Sequence, residues 1–120
     1  MEPIDKQSIM ALVVTTVRDV LVIEFPRRFD AGTAPGIESE LKVVLAGSPK
    51  KVILGFSPTD YIASAGLRVL LQFTRDLMKS GGKVVFTGIR PDVHRIFEMA
   101  GFTSIFTILP TREDGLEAFG

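Results

Sequence analysis

Several kinds of side chain are absent or scarce in this chain, and each absence removes a class of function. Its 120 residues include no cysteine, no tryptophan, one tyrosine and one histidine. Without cysteine the chain can form no disulfide and perform no thiolate chemistry. A lone histidine also leaves no recognisable spacing of zinc ligands. We therefore expect no metal site and no cofactor.

Excess charge and long apolar runs are missing as well. Lysine plus arginine equals aspartate plus glutamate at 14 each, so the overall charge does not favour a nucleic-acid partner. No apolar stretch approaches the roughly 18 residues that a membrane span needs. Glu2, Asp5 and Lys6 precede any apolar run, unlike the start of a signal peptide. The sequence predicts a cytoplasmic protein with no direct membrane insertion.

Hydrophobic residues are plentiful: they make up 46% of the chain and include nine phenylalanines. This composition suits one domain over residues 1–120 with a core that needs no disulfide. Apolar patterns predict a hairpin over 12–16 and 20–25, a central strand over 52–56, and strands over 83–87 and 106–109. Helices are predicted to begin at Thr33, Ser64, Pro91 and Thr111. The fold class is α/β, a mixed sheet of about five strands packed with about four helices.

Residues 61–71 are the most informative segment, because a strand-like run ends on Ser64 and an apolar helix begins at once. A hydroxyl there lies beside the free N–H groups of a first helical turn, where a phosphate dianion is favoured. An ordinary N-cap is the alternative interpretation of this serine. One helix face carries apolar residues and Thr74, and Gly81-Gly82 is expected to end the helix. The face comprises Leu67, Leu70, Leu71, Thr74, Leu77 and Met78.

Enzyme chemistry finds little support in the sequence. His94 lies between Val93 and Arg95 on a predicted helix, a setting more typical of a surface residue than of a catalytic base. Gly81-Gly82-Lys83 lacks the remaining residues of a phosphate-binding loop. We therefore expect a protein that acts by binding and is not an enzyme.

Residues 61–71 resemble the signature of the STAS domain family, the sulfate transporter and anti-sigma factor antagonist domains. The resemblance extends to the glycine pair and strand of residues 81–86 and to the helix and turn of residues 93–106. Upstream, residues 29–33 are similar to the family's entry to its first helix. Nearly the whole chain is covered.

The resemblance implies a STAS-like fold and the function of a stand-alone anti-sigma factor antagonist. In the family mechanism, the unphosphorylated protein binds a GHKL-type serine kinase that sequesters a sigma factor, and this binding releases the sigma factor. The kinase, which holds the ATP, then phosphorylates the serine aligned with Ser64 and ends the interaction, and a phosphatase resets it. The implied partner-binding residues are Asp30, Thr33, Ser64, Ala65 and Arg68.

Two alternatives remain open at this point. Ala63 and Gly55 occupy places where the family often has acidic residues, which favours a non-switching STAS scaffold within a larger signalling assembly. The second alternative is a small-ligand or nucleotide-binding module, which would use a pocket between Asp30, Ser64 and the helix terminus. Phosphate on Ser64 would support the switch over the scaffold.

Overall fold

The computed structural model describes residues 11–120, in which strands and helices alternate as predicted. The helices are α1 (Ala34–Ala46), α2 (Ser64–Lys79), α3 (Pro91–Met99) and α4 (Arg112–Phe119), with a 3-10 turn at Phe102–Ser104. The strands are β1 (Val13–Val17), β2 (Val20–Glu24), β3 (Arg28–Phe29), β4 (Lys51–Gly55), β5 (Tyr61–Ile62), β6 (Lys83–Thr87) and β7 (Ile108–Leu109).

Five strands form the main sheet, in the order β1-β2-β4-β6-β7. The β1–β2 hairpin is antiparallel, and every other neighbouring pair is parallel. The predicted α/β fold with a mixed sheet is therefore confirmed. The central position of the third predicted strand is confirmed too, since β4 lies between β2 and β6 and its Val52, Ile53 and Leu54 are fully buried.

The two faces of the sheet bury different residues, because side chains alternate along a strand. Val52 and Leu54 of β4 join the large core cluster, to which α1, α2 and α3 contribute. Ile53 belongs to a smaller cluster on the other face, where Leu116 and Phe119 of α4 pack. Helices therefore cover both faces, as near-continuous apolar strands require.

The buried stripe of α2 differs in part from the predicted one. Leu67, Leu70, Thr74 and Leu77 are buried as expected, together with Phe73, which the predicted face omitted. Leu71 is only half-buried, and Met78 is 62% exposed. Each of these two residues lies one position, or about 100°, beyond a buried leucine, which takes it to the margin of the stripe.

Helix ends follow the predicted signals closely. Gly81 adopts a left-handed φ of 88°, and the Gly82 N–H donates to the Leu77 carbonyl at 2.9 Å, so the glycine pair ends α2 as predicted. Thr111 is the N-cap of α4 and accepts a hydrogen bond from the Asp114 N–H.

Candidate functional site

A pair of two-residue strands outside the main sheet holds the start of α2. β3 and β5 are parallel, with Arg28 opposite Tyr61 and Phe29 opposite Ile62. One residue further on, the Ala63 N–H donates to the Phe29 carbonyl at 2.9 Å. Helix α2 begins at the next residue, so this pair fixes where the first helical turn starts.

Gly66 allows that first turn to lie directly on β3. A Cβ atom at this position would lie 2.9 Å from the Phe29 carbonyl oxygen and 3.0 Å from a carbon of its ring. Only a residue without a side chain permits such an approach of helix to backbone. The contact therefore holds the turn that begins with Ser64 against β3.

Ser64 is the first residue of α2. The alternative interpretation, in which Ser64 itself is the N-cap, is therefore wrong by one position. The N-cap is Ala63, whose backbone is extended at φ −88° and ψ 169° and whose methyl group cannot accept a hydrogen bond. Ser64 is exposed, and among residues 11–120 its hydroxyl has no hydrogen-bond partner. The hydroxyl therefore lies near first-turn N–H groups that no side chain caps.

Asp30 and Thr33 close the turn that leads into α1. Asp30 Oδ1 accepts hydrogen bonds from the N–H groups of Gly32 at 3.0 Å and Thr33 at 3.1 Å. Thr33 Oγ1 in turn accepts one from the Asp30 N–H at 2.9 Å, a reciprocal arrangement of the capping-box kind. The Thr33 N–H above all, and then the Arg28 side chain, lower the pKa of Asp30 below its ordinary value. The carboxylate is therefore ionised at neutral pH and engaged in the turn.

A groove of about 310 Å³ opens between the N-terminal parts of α1 and α2. Ala65 and Arg68 line it from α2, and Ala31 and Pro35 line it from the α1 side. Arg68 is exposed and follows Ser64 by four residues, which places both side chains on one side of the helix. Of the predicted partner-binding residues, Ala65 and Arg68 line this groove, whereas Asp30, Thr33 and Ser64 do not; Ala31, which does line it, lies in the turn that Asp30 and Thr33 close.

Arginine side chains gather around β5, a feature that the sequence did not predict. Arg27 donates to Asp60 Oδ2 at 2.9 Å, and this bond is the main cause that lowers the pKa of Asp60. The guanidinium of Arg28 lies 4.8 Å from the centroid of the Tyr61 ring, within cation–π distance. These contacts hold both charges beside the strand that leads to Ser64.

Arg90 completes this group, which we call the arginine rim (Arg27, Arg28 and Arg90). Its Nε donates to the Ser57 carbonyl at 3.2 Å, and its charge also lowers the pKa of Asp60. Arg28 also has a local partner, since its Nε lies 3.3 Å from Asp30 Oδ2, two residues along the chain. Arg27 and Arg90 each bond to a residue 33 positions away, and no local pattern signals so distant a partner.

Gly55, at the end of β4, has a carboxylate beside it from the neighbouring strand. A Cβ atom on Gly55 would lie 3.7 Å from Glu24 Cγ and 3.8 Å from Glu24 Oε2, which is ordinary van der Waals contact. β2 therefore supplies an acidic group close to the position where β4 has none.

Between residues 11 and 120 no group of three or more histidine, cysteine, aspartate or glutamate side chains is placed to hold a metal ion. None of the helices described there has the length and apolar character needed to span a bilayer.

Comparison with known proteins gives a family match over most of the chain. The family model described as STAS domain matches residues 11–115. BtrV of Bordetella bronchiseptica, described as a candidate anti-sigma factor antagonist, is 32% identical over 110 residues, which cover 92% of this chain and 95% of BtrV.

Solved structures show the same architecture. An anti-sigma factor antagonist from Mycobacterium paratuberculosis superposes with a TM-score of 0.82 at 27% identity, covering 89% of this chain and 91% of that one. The phosphorylated form of the Bacillus cell fate determinant SpoIIAA superposes with a TM-score of 0.70 at 18% identity, covering 92% of this chain and all of the other.

Proposed function

The chain belongs to the STAS domain family, and from this premise we propose that it is an anti-sigma factor antagonist switched by phosphorylation of Ser64. Its proposed partner is an anti-sigma factor that is also a GHKL-type serine kinase. Binding of the unphosphorylated chain displaces the sigma factor, and phosphate transfer to Ser64 ends the complex. A phosphatase returns the chain to its binding state.

The observation that carries this proposal is the exposed, unbonded hydroxyl at the head of α2. Among residues 11–120 the Ser64 hydroxyl takes part in no hydrogen bond, since Ala63 is the N-cap, and Gly66 forms the close contact with β3. A kinase can therefore reach the hydroxyl without unfolding the helix. Loops and helix ends held by a rigid scaffold are common positions for functional residues.

The switch follows from where the added charge is placed. A phosphate adds about −1.5 to −2 charges. Within the chain, the N-terminus of α2 and the nearby Arg68 favour a negative charge. A partner packed against the same spot would have to accommodate a dianion at a contact formed around a neutral hydroxyl. Phosphorylation therefore weakens the complex more than it changes the stability of the fold.

The proposed docking surface consists of Asp30, Thr33, Ser64, Ala65 and Arg68 along the groove. Asp30 and Thr33 contribute through the shape of their turn, since their polar groups bond to each other. Ala65 and Arg68 line the groove itself. Arg68 is the residue here whose charge can be changed without breaking a hydrogen bond among residues 11–120, and it is therefore the best probe of the interface.

The test uses the full chain, the kinase encoded beside it, ATP, and mass spectrometry of the resulting peptides. Phosphate on Ser64 is the expected result. In a binding titration with the kinase, Ser64→Asp is expected to weaken the complex and Ser64→Ala to retain it. Ser104→Asp, which places the same charge on the exposed 3-10 turn, is the matched control and should bind as the unmodified chain does.

Arg68→Glu tests the docking surface separately. It should weaken kinase binding at unchanged circular dichroism, whereas Arg75→Glu, further along the exposed side of the same helix, should not. A stable kinase complex with no phosphate on Ser64 would overturn the switch and support the scaffold alternative. Equal binding by the Arg68 and Arg75 variants would move the interface away from the groove.

Three further expectations belong to the same proposal. Residues 1–120 form a single STAS domain, the chain acts by binding and not as an enzyme, and its site of action is the cytoplasm. A GHKL-type kinase draws on ATP, which supports the last of these.

A further inference from the structure

The arginine rim is a charged surface beside β5, separate from the groove between α1 and α2. Its guanidinium groups surround one carboxylate: the hydrogen bond from Arg27 above all, and then the charges of Arg90 and Arg28, lower the pKa of Asp60. The Asp60 N–H also donates to the Arg27 carbonyl at 2.8 Å, which joins the two loops. The rim is therefore one cluster and not a set of unrelated surface charges.

The arginines of the rim face solvent, whereas the carboxylates between them are less exposed. The side chains of Arg27 and Arg28 are 79% and 61% exposed, while those of their partners, Asp60 and Asp30, are 28% and 31% exposed. Arg90 is exposed as well. A molecule that approaches this surface therefore meets positive charge first.

Much of the donor capacity of the rim is unused within residues 11–120. Arg28 donates through Nε alone, to Asp30 Oδ2 at 3.3 Å, and Arg90 donates through Nε alone, to the Ser57 carbonyl at 3.2 Å. Arg90 forms no ion pair in this part of the chain. A guanidinium also carries N–H donors on both Nη atoms, so these donors remain available on Arg28 and Arg90.

Side-chain contacts hold the other two guanidinium groups in place. Arg27 directs Nε and Nη2 at Asp60 Oδ2, at 3.3 and 2.9 Å. The Arg28 guanidinium lies 4.8 Å from the centroid of the Tyr61 ring, and Tyr61 is itself 40% exposed. Groups that are already ordered lose less conformational freedom on binding. Tyrosine and arginine are also enriched at protein interfaces, which favours a protein as the occupant.

The rim is continuous with the segment that leads to Ser64. Arg28 lies opposite Tyr61 in the β3–β5 pair, and Ser64 follows Tyr61 by three residues. Arg28 also bonds to Asp30, a member of the proposed docking surface. A partner docked around Ser64 and Asp30 would therefore lie next to the rim.

We propose that the arginine rim binds an acidic segment of the partner protein, whose carboxylates bond to the free Nη groups of Arg28 and Arg90. A planar guanidinium suits a carboxylate because paired N–H donors can meet both oxygens. The identification of that protein as the kinase rests on the proposed function. A nucleic acid is the less suitable occupant, because its continuous backbone charge would also meet Asp30 and Asp60 and the chain has no net positive charge.

A hexaglutamate peptide with blocked termini is the probe, titrated at low ionic strength into the ¹⁵N-labelled full chain. Saturable shifts are expected in the Nε–H signals of Arg28 and Arg90 and in the amide signal of Tyr61, with none at Arg75 on α2. Hexalysine should cause no saturable shift, and a thymidine oligonucleotide of the same length should bind more weakly. Absence of saturable shifts, an equal response at Arg75, or tighter binding of the oligonucleotide would overturn the proposal.

Variants of the rim are then compared in a titration with the kinase encoded beside the chain. Arg90→Glu should raise the Kd about fivefold or more, because attraction is replaced by repulsion, whereas Arg75→Glu, which makes the same charge change on exposed α2, should not. Arg28→Gln should reduce the salt dependence of the Kd. Circular dichroism confirms that each variant is folded.

These measurements separate the rim from the phosphorylation switch. If both rim variants bind the kinase as the native chain does, the proposal fails even where phosphate is found on Ser64. If both variants weaken a kinase complex that never phosphorylates Ser64, the rim is supported and the switch is overturned.

Discussion

Replacing Gly66 with alanine is a direct test of how the first turn of α2 is held. The new Cβ atom would lie 2.9 Å from the Phe29 carbonyl oxygen and 3.0 and 3.1 Å from two carbons of its ring. Overpacking of this kind costs about 1–3 kcal/mol, while alanine gains about 1 kcal/mol over glycine inside a helix. The free energy of unfolding should therefore fall by about 1 kcal/mol, with the clash outweighing the gain in helix propensity.

Gly36→Ala is the matched control, because Gly36 is on helix α1 and a Cβ atom there would meet nothing within 4 Å. Only the propensity gain remains at that position, so this variant should be more stable than the native chain by about 0.5–1 kcal/mol. The two glycine variants should thus differ by about 2 kcal/mol in opposite directions. Urea denaturation followed by circular dichroism measures both, provided that the m-value stays constant.

The same variants give a second measurement at the site. The Ala63 N–H bonds to the carbonyl oxygen of Phe29, which an alanine at Gly66 would displace. The amide signal of Ala63 should therefore shift in Gly66→Ala and stay in place in Gly36→Ala. If the Gly66 variant proves as stable as the Gly36 variant, the helix does not depend on this approach and the reasoning fails.

Two other predictions concern stability. Leu70→Ala should lower the free energy of unfolding by about 2–5 kcal/mol, because Leu70 is fully buried. Leu71→Ala should lower it by clearly less, because Leu71 is only half-buried. Equal losses in urea denaturation would contradict the assignment of the buried stripe of α2. Because the pKa of Asp30 is lowered in the fold, its contribution is fully present above the unfolded value of about 3.9 and is lost as the pH falls through the folded value. Asp30→Asn should therefore lose less stability than the native chain between pH 5 and pH 2, and identical pH profiles would refute this role.

The regular elements of the fold could be predicted because their signals are local. Pro91 and Thr111 mark helix starts, Gly81 marks a helix end, and the apolar run from Val52 gives a buried strand. The β3–β5 pair could not be predicted in this way. It consists of two residues on each strand, and its partners are 33 positions apart, so neither periodicity nor turn residues reveal it.

The candidate site likewise contains residues that the sequence indicated and contacts that it did not. Ser64 was found because a serine at a strand-to-helix junction is visible in the sequence, and the family resemblance then indicated Asp30, Thr33, Ala65 and Arg68. The arginine rim escaped notice because the contacts of Arg27 with Asp60, Arg28 with Tyr61 and Arg90 with Ser57 each join residues 33 positions apart.

The placement of Tyr61 gives this chain an optical property. It is the single tyrosine, and the chain has no tryptophan, so Tyr61 alone dominates the intrinsic ultraviolet fluorescence. Tyr61 is 40% exposed, its ring lies under the Arg28 guanidinium, and it precedes Ser64 by three residues. Changes in emission therefore originate beside the proposed switch, and addition of a phosphate, which carries no chromophore, can be followed in the native chain without a dye.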